Sequence, residues 1–393
     1  MKELPNTSFD YYTLPNKISC GILGIWPIDE GSSTFSKIFT YCRVIVAITA
    51  LNSVFVPEIM AIAVNWGDIQ ILTGIGCVLT SVGQVLYKII YLVARREKAH
   101  ELYNEIRSLW DATDDPNEKK SYQQIAYWAR TVTITFYACV LCNVIFFTTS
   151  AIIDYLCNDN RHLPFDQRYS NITVRYGTDI SASPKFEIAF FCQLLACIVG
   201  ISAITGVDCT FMTIILHVAG QFKLIKTWIN KIGNEINRES VHLDKFEMDL
   251  FKCIRHHQRI IHVVDDINNL LTPILFMQLL TSGIEICLSG YAMLDNGAAV
   301  IDIMKFTTHF ISMAVELLLW CWPGEILVHE SEEIGQVIYF NIPWYNLPPI
   351  YRRHLCFVIV RAQQYCSITA LTFKVLSIHT LTSVSTHCFN FEN

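Results

Sequence analysis

Apolar residues along this chain gather into seven long runs separated by charged stretches, and each run is about the length of helix, roughly 20 residues, that crosses a hydrocarbon core of about 30 Å. The first six lie at 39–64, 69–94, 130–156, 186–207, 267–294 and 306–322. The third has no charged residue from Thr131 through Ile153, whereas Asn52 and Glu58 interrupt the first. The seventh, 362–391, carries Lys374 as its one formal charge, yet its polar groups form a stripe. Read at 3.6 residues per turn, Thr369, Thr372, Leu376, Thr380, Ser383, His387 and Asn390 share one face. Leu371, Val375, Ile378, Thr382, Ser385 and Phe389 follow the more apolar opposite face. A spanning helix with a wettable stripe packs that stripe against protein or lines water with it.

Between the runs, lysine and arginine are shared unequally. Segments 1–35, 95–128, 217–262 and 324–365 hold nineteen, while the alternate set holds Arg161, Arg168 and Arg175 with only Lys185 and Lys305 besides. The positive-inside rule then puts the amino terminus in the cytoplasm and the carboxyl terminus outside. Asn171-Ile172-Thr173, a glycosylation acceptor pattern, falls in an outer loop. The inner segment near 217–265 is itself helical: Phe222, Ile225, Ile229, Ile232 and Ile236 recur at helical spacing, and Phe246, Leu250, Cys253 and Ile254 repeat it. In 324–361 the cluster Pro343, Pro348 and Pro349 breaks helix, and 351–364 reads as helix again.

The expected organisation is an all-α polytopic membrane protein of seven helices with cytoplasmic helical extensions. Its parts are a cytoplasmic segment 1–35, four spans in 36–216, a cytoplasmic helical segment 217–265, two spans in 266–323, a second cytoplasmic segment 324–361, and the last span with the outer terminus in 362–393.

Composition agrees, with 52% hydrophobic and only 16% charged residues against about 25% charged in soluble chains. The first 35 residues contain charges and no apolar core, so the first span is expected to act as its own membrane signal. Cysteines such as Cys139, Cys142, Cys192, Cys197 and Cys287 sit within apolar runs, where they act as small hydrophobes, and their spacings suggest neither a disulfide framework nor a metal site. A net charge of −6, with no basic cluster interleaved with aromatics, argues against nucleic acid as a partner. His256-His257 lacks the matching carboxylate spacing a metal or catalytic site would need, so no enzyme and no cofactor is expected. No Asp-Arg-Tyr or Asn-Pro-x-x-Tyr pattern appears, and the orientation is opposite to that of a G-protein-coupled receptor. Repeated halves, the usual mark of a transporter, are absent too.

The order Leu318-Leu319-Trp320-Cys321-Trp322-Pro323-Gly324-Glu325, then Ser331-Glu332-Glu333, Val337-Ile338-Tyr339, Trp344, Leu347, Arg352, Arg361-Ala362-Gln363-Gln364 and Ile368-Thr369-Ala370 resembles the carboxyl-terminal third of insect odorant receptors. The stretches 373–378 and 382–384 fit as well. The resemblance implies a subunit of a heterotetrameric, plasma-membrane cation channel opened by a small volatile or semi-volatile ligand. Its seventh span would line the pore, here with Thr372, Leu376, Thr380, Ser383, His387 and Asn390, and the cytoplasmic extensions would anchor subunits to one another. The sister gustatory receptors are the alternative, but their last span carries Thr-Tyr and Gln-Phe where this chain has Thr372-Phe373 and His379-Thr380. No insertion typical of the co-receptor lengthens 217–262, which implies a ligand-tuning subunit partnered by the co-receptor. The family pattern continues past the point where this sequence closes, so no gate residue is carried over.

A pocket for such ligands is expected to be mostly apolar and aromatic, in the outer half of the membrane. By depth its candidates are Ile75, Leu79 and Val82 on the second span, Tyr137, Leu141 and Val144 on the third, and Phe190, Phe191 and Leu194 on the fourth. Met277 and Leu280 from the fifth span and His309, Phe310 and Met313 from the sixth complete the set. Glu316 lies about 15 Å into the sixth span at 1.5 Å per residue, where a carboxylate costs about 3 kcal/mol, so it either hydrogen-bonds within the protein or borders the pocket. Glu285 admits the same two readings. Asp208, counted from the start of its span, is expected past the inner interface with no special role.

Overall fold

The computed structural model describes residues 8–26, 31–113, 115–157, 185–238, 243–294, 300–370 and 374–375. Helix α1 (Phe9–Leu23) opens on Ser8, whose hydroxyl accepts from the Tyr11 amide, and closes on Gly24 at φ 72°, where a Cβ would meet the Thr40 carbonyl at 2.5 Å. Helices α2 (Thr34–Val64) and α3 (Ile69–Ala94) begin on Ser33 and Asp68, whose side chains accept from Ser36 and Ile71. Then follow α4 (Arg96–Asp111), α5 (Pro116–Cys157), α6 (Lys185–Arg238), α7 (Leu243–Met293) and α8 (Val300–Asn341). A short 3-10 turn (Trp344–Asn346) and α9 (Pro349–Ala362) come after the proline cluster.

Six of these helices are long and apolar enough to cross a membrane, and large side chains such as Phe39, Ile45, Met60, Ile134 and Ile198 point out of the bundle from them. Lipid, rather than water, suits that surface. Because α6 and α7 each run on past their apolar segments, the expected cytoplasmic helices are continuous extensions of spans, separated between Arg238 and Leu243. Helix α6 is the axis of the packing, in contact with α1, α2, α5, α7 and α8, and Ala203, Cys209, Met212, Ile215, Val218 and Phe222 on it are fully buried. An ion cluster ties its far end to α8, with Lys226 against Glu330 at 2.7 Å and against Glu333.

Two parts of this architecture depart from the sequence expectation. Helices α1 and α4 belong to the packed body: Phe9, Tyr12, Tyr103, Trp110 and His217 form an aromatic cluster under them. The other departure concerns the start of the seventh run. From Gln363 to Ile368 no regular element forms, and Thr369–Ala370 (β1) pairs antiparallel with Lys374–Val375 (β2), Thr369 opposite Val375. Helical backbone is displaced here because side chains of α7 and α8 take the segment's polar groups. The Cys366 amide donates to Ser331 Oγ at 3.0 Å, Asn268 Nδ2 donates to the Ser367 carbonyl at 2.7 Å, the Thr369 amide donates to Asn268 Oδ1 at 2.9 Å, and Thr272 donates to the Thr369 carbonyl at 3.1 Å.

Candidate functional site

Polar side chains from four helices meet inside the apolar bundle, in two layers. Ser81, Gln84 and Lys88 share the inward face of α3 at steps of three and four, as Gln278, Thr281, Ser282 and Glu285 do on α7. His309 and Glu316 stand two turns apart on α8, and Asp208 comes from α6.

In the deeper layer the Lys88 ammonium donates to Asp208 Oδ1 at 2.7 Å and to Glu316 Oε1 at 3.2 Å, with all three side chains almost wholly buried. Glu316 Oε1 also accepts from Gln84 Nε2 at 2.9 Å and Gln278 Nε2 at 3.0 Å. Gln84 Nε2 further donates to Gln278 Oε1 at 2.7 Å, Thr281 donates to Gln84 Oε1 at 2.5 Å, and Gln278 Nε2 donates to Ser282 Oγ at 2.9 Å. Each ion alone at this depth costs about 3 kcal/mol, so their mutual pairing, completed by amide and hydroxyl groups, is what makes the layer tolerable.

The shallower layer lies toward the Ile69 end of α3. Ser81 and Lys88, Glu285 and Gln278, and His309 and Glu316 are each seven residues apart, which sets the layers about 10 Å apart along the helices at 1.5 Å per residue. Glu285, fully buried, accepts from Ser81 Oγ at 3.0 Å through Oε1. Its Oε2 has no hydrogen-bond partner among the described residues and faces His309 Nε2 at 3.9 Å, an atom likewise without a partner.

Around these layers the expected pocket residues divide. Ile75, Met313 and Glu316 are buried, and Leu79, Val82, Tyr137, Val144, Phe190, Met277, His309 and Phe310 are half-buried, with Val82, Phe310 and Met313 packed onto the main core. Leu141, Phe191, Leu194 and Leu280 are between 37% and 64% exposed and turn out of the bundle, so they line no interior space. Glu316 takes the hydrogen-bonding role of its two readings, since one carboxylate oxygen already holds three N–H donors. Asp208 is corrected: it stands level with Lys88 and Glu316 as an ion-pair partner. Counting residues from one end of a span gives depth only for a helix along the membrane normal. Lys88, Gln84 and Gln278 were not singled out from sequence as site residues, although charge within an apolar run was a signal that partners must exist. Thr372, Leu376, Thr380, Ser383, His387, Asn390 and Asn171 lie outside the described residues.

On the extension of α7 a groove of about 520 Å³ opens toward α9, lined by Phe251, His257, His262, His354, Phe357 and Arg361 among others. Burial lowers the His257 pKa to about 4, helped by the Arg361 charge, and burial with Arg259 and Lys252 does the same to His256. Both imidazoles are therefore neutral near pH 7. Among the described residues no group of three or more His, Cys, Asp or Glu could hold a metal ion.

A sequence profile of the 7tm Odorant receptor family matches residues 70–389. Odorant receptor 47b of Drosophila melanogaster is 25% identical over 364 residues, spanning 90% of this chain and 82% of its own. Odorant receptor 13a of the same species is 22% identical over 407 residues, spanning 96% and 94%. Among solved structures, the insect olfactory receptor OR5 from Machilis hrabei in complex with eugenol superposes with a TM-score of 0.80 at 13% identity, covering 97% of this chain and 95% of that one. A second structure of the same receptor superposes with a TM-score of 0.74 at 14% identity.

Proposed function

This chain belongs to the odorant receptor family of insects, and from that premise we propose that it is the ligand-tuning subunit of a heteromeric, ligand-gated, non-selective cation channel in the plasma membrane. Its amino terminus is cytoplasmic and its carboxyl terminus extracellular, as the lysine and arginine distribution supports. A small, largely apolar odorant binds among α3, α5, α6, α7 and α8. Ile75, Leu79, Val82, Tyr137, Val144, Phe190, Met277, His309, Phe310 and Met313 are the retained candidates for its surroundings. Leu141, Phe191, Leu194 and Leu280 are dropped, and Glu316 supports the site from below rather than touching ligand.

The observation that carries the ligand-binding part is the pair of buried polar layers. Hydrogen-bonding groups are rare in hydrocarbon and mark function or obligatory structure; among the described residues the deeper layer leaves Asp208 Oδ2 without a hydrogen bond, on a carboxylate already paired with Lys88, whereas the shallower leaves two atoms facing one another, Glu285 Oε2 and His309 Nε2. The cytoplasmic extensions of α6, α7 and α8, with α9, serve as the anchor to neighbouring subunits, and the groove beside His257 and His354 lies on that part. The striped run near the carboxyl terminus lines the pore, where hydroxyl and amide groups replace part of an ion's hydration without holding it.

Co-expression with an odorant co-receptor, read as current under a broad odorant panel, tests this reading. Ligand-gated currents are expected from the pair and none of comparable size from this chain alone. Large currents from the chain alone would overturn the heteromeric assignment, and silence across the panel with surface expression established would overturn the ligand-gated one.

A further inference from the structure

Glu285 and His309 present two polar atoms that the protein leaves unsatisfied side by side. Glu285 Oε2 and His309 Nε2 are both buried, neither makes a hydrogen bond among the described residues, and 3.9 Å separates them. That distance is too long for a hydrogen bond between them. Nor do neighbours supply one. Ser81 is committed to the other carboxylate oxygen at 3.0 Å, and Thr80, which also stands beside the carboxylate, gives its hydroxyl proton to the Gly76 carbonyl at 2.6 Å. Lys88 is engaged two turns deeper by Asp208 and Glu316.

An unpartnered polar group in an apolar interior costs about 1–3 kcal/mol or more, so two facing one another describe a place built to receive a third group. One atom placed about 2.8 Å from each, an ordinary hydrogen-bond length, closes a triangle on the 3.9 Å base. The third atom must serve a carboxyl oxygen and an imidazole nitrogen together. A hydroxyl both donates and accepts, so it satisfies the pair whichever of the two carries the proton, whereas an ether only accepts and a hydrocarbon does neither. The imidazole is 22% exposed, so the pair stands at the rim of the core, within reach of a ligand, while the carboxylate behind it is fully buried. Met313, one turn from His309 on α8, is buried in the apolar core, against which Phe310 also packs, the kind of surroundings a carbon skeleton requires.

We infer that Glu285 and His309 form the polar end of the ligand site and select molecules bearing a hydroxyl group, alcohols or phenols, whose oxygen sits between the carboxyl and the imidazole. The carbon skeleton contributes the affinity and the hydroxyl sets the discrimination. This rests on the reading that the chain binds an odorant among these helices.

The test compares sets of ligands that share a carbon skeleton and carry a hydroxyl, a methyl ether or only hydrogen at one position. They are applied to the chain co-expressed with the co-receptor and read as current; the same purified complex is read by ligand-induced shift of its melting temperature. At least one hydroxyl compound is expected to act at about a tenfold lower concentration than its ether, the scale of one hydrogen bond to a charged group. Glu285→Leu is expected to abolish that preference and leave the ether's potency within about twofold, since only the hydroxyl uses the carboxylate. If Glu285→Leu does not reach the membrane, Glu285→Gln, whose amide still satisfies Ser81, and His309→Leu replace it, each expected to weaken the preference. Ethers and hydrocarbons as potent as the alcohols, or a preference that survives at both positions, would overturn the inference while leaving the channel reading intact. A melting shift that favours alcohols without current from any ligand would support the subsite and overturn the channel reading. No shift and no current with any of the compounds would overturn the subsite.

Discussion

A lysine ammonium without water around it persists only where its neighbours outweigh the lost hydration, and Lys88 shows how closely that is arranged here. Its Nζ reaches Asp208 and Glu316, and the Trp320 ring lies 5.9 Å away. Removing the cation leaves two carboxyl groups facing one another in hydrocarbon, so Lys88→Met is expected to cost about 3–5 kcal/mol, the scale for breaking a buried ion pair. Melting of the detergent-purified complex and surface labelling in cells read the effect; an unchanged melting temperature and surface level would contradict it. A neutral replacement of all three, Lys88→Met with Asp208→Asn and Glu316→Gln, is expected to recover a large part of the loss, because buried ion clusters commonly contribute little beyond their uncharged counterparts. Glu285 and Glu316 look equivalent in the sequence, both acids inside apolar runs. What separates them is which side chains arrive from α3 and α6, and periodicity along a single helix does not carry that.

The part of α7 that runs on past its apolar segment is an element whose stability depends on pH, and His217 on α6 shares the behaviour, its pKa lowered to about 4 by burial. Burial holds His256 and His257 at pKa values of about 4 in the folded protein, against about 6.5 when exposed. Between those values the unfolded chain binds more protons than the folded one, so stability is fully present above about pH 6.5 and falls as the pH drops toward 4. Each histidine contributes at most about 1.4 kcal/mol per pH unit to that slope, and less for His256, which is only half-buried. Glu333 adds nothing in the upper part of the window: its hydrogen bond from Lys226 lowers its pKa below 4.5, so its contribution is lost only under more acidic conditions. Melting temperatures measured from pH 7.5 to 5 are expected to decline, and replacing both imidazoles by Phe is expected to make the decline shallower while His217 keeps part of it; a flat profile for the unmodified protein would remove the argument. Packing of the same region gives a second expectation. Gly233 on α6 lies so near the end of α8 that an added Cβ would stand 2.1 Å from the Asn341 carbonyl oxygen. Backbone cannot yield as a side chain does, so Gly233→Ala should separate the two helices at a cost of about 1–3 kcal/mol, read as a lower melting temperature. A variant as stable as the parent would show that the helices part freely there.

At the scale of the whole chain, the six described spans were legible because each is a long apolar run: 69–94 was read at the bounds of α3, and 39–64 and 267–294 fall within α2 and, but for a residue, α7. The helix break at Pro343, Pro348 and Pro349 was legible for a local reason, the missing amide donors. Helices α1 and α4 were not, since their buried faces are made by distant aromatic partners rather than by an apolar run. The seventh run tests how far a stripe alone can be trusted. Its beginning, through Ala370, is extended because Ser331, Asn268 and Thr272 hold it, while the polar stripe continues beyond, at Thr380, Ser383 and His387. A stripe of hydroxyls in a membrane has no use for lipid, and a set of subunits around a common axis would turn it toward water. Cysteine placed at Thr380 or Ser383 in the co-expressed channel is therefore expected to react with a charged thiol reagent applied from outside during ligand, and to reduce the current. Cysteine at Ile378, on the apolar face, is expected to leave the current unchanged, with the channel of native cysteines as background. Equal reaction on the two faces would mean that the helical period does not govern access there, and reaction at Ile378 alone would assign the pore to the opposite face.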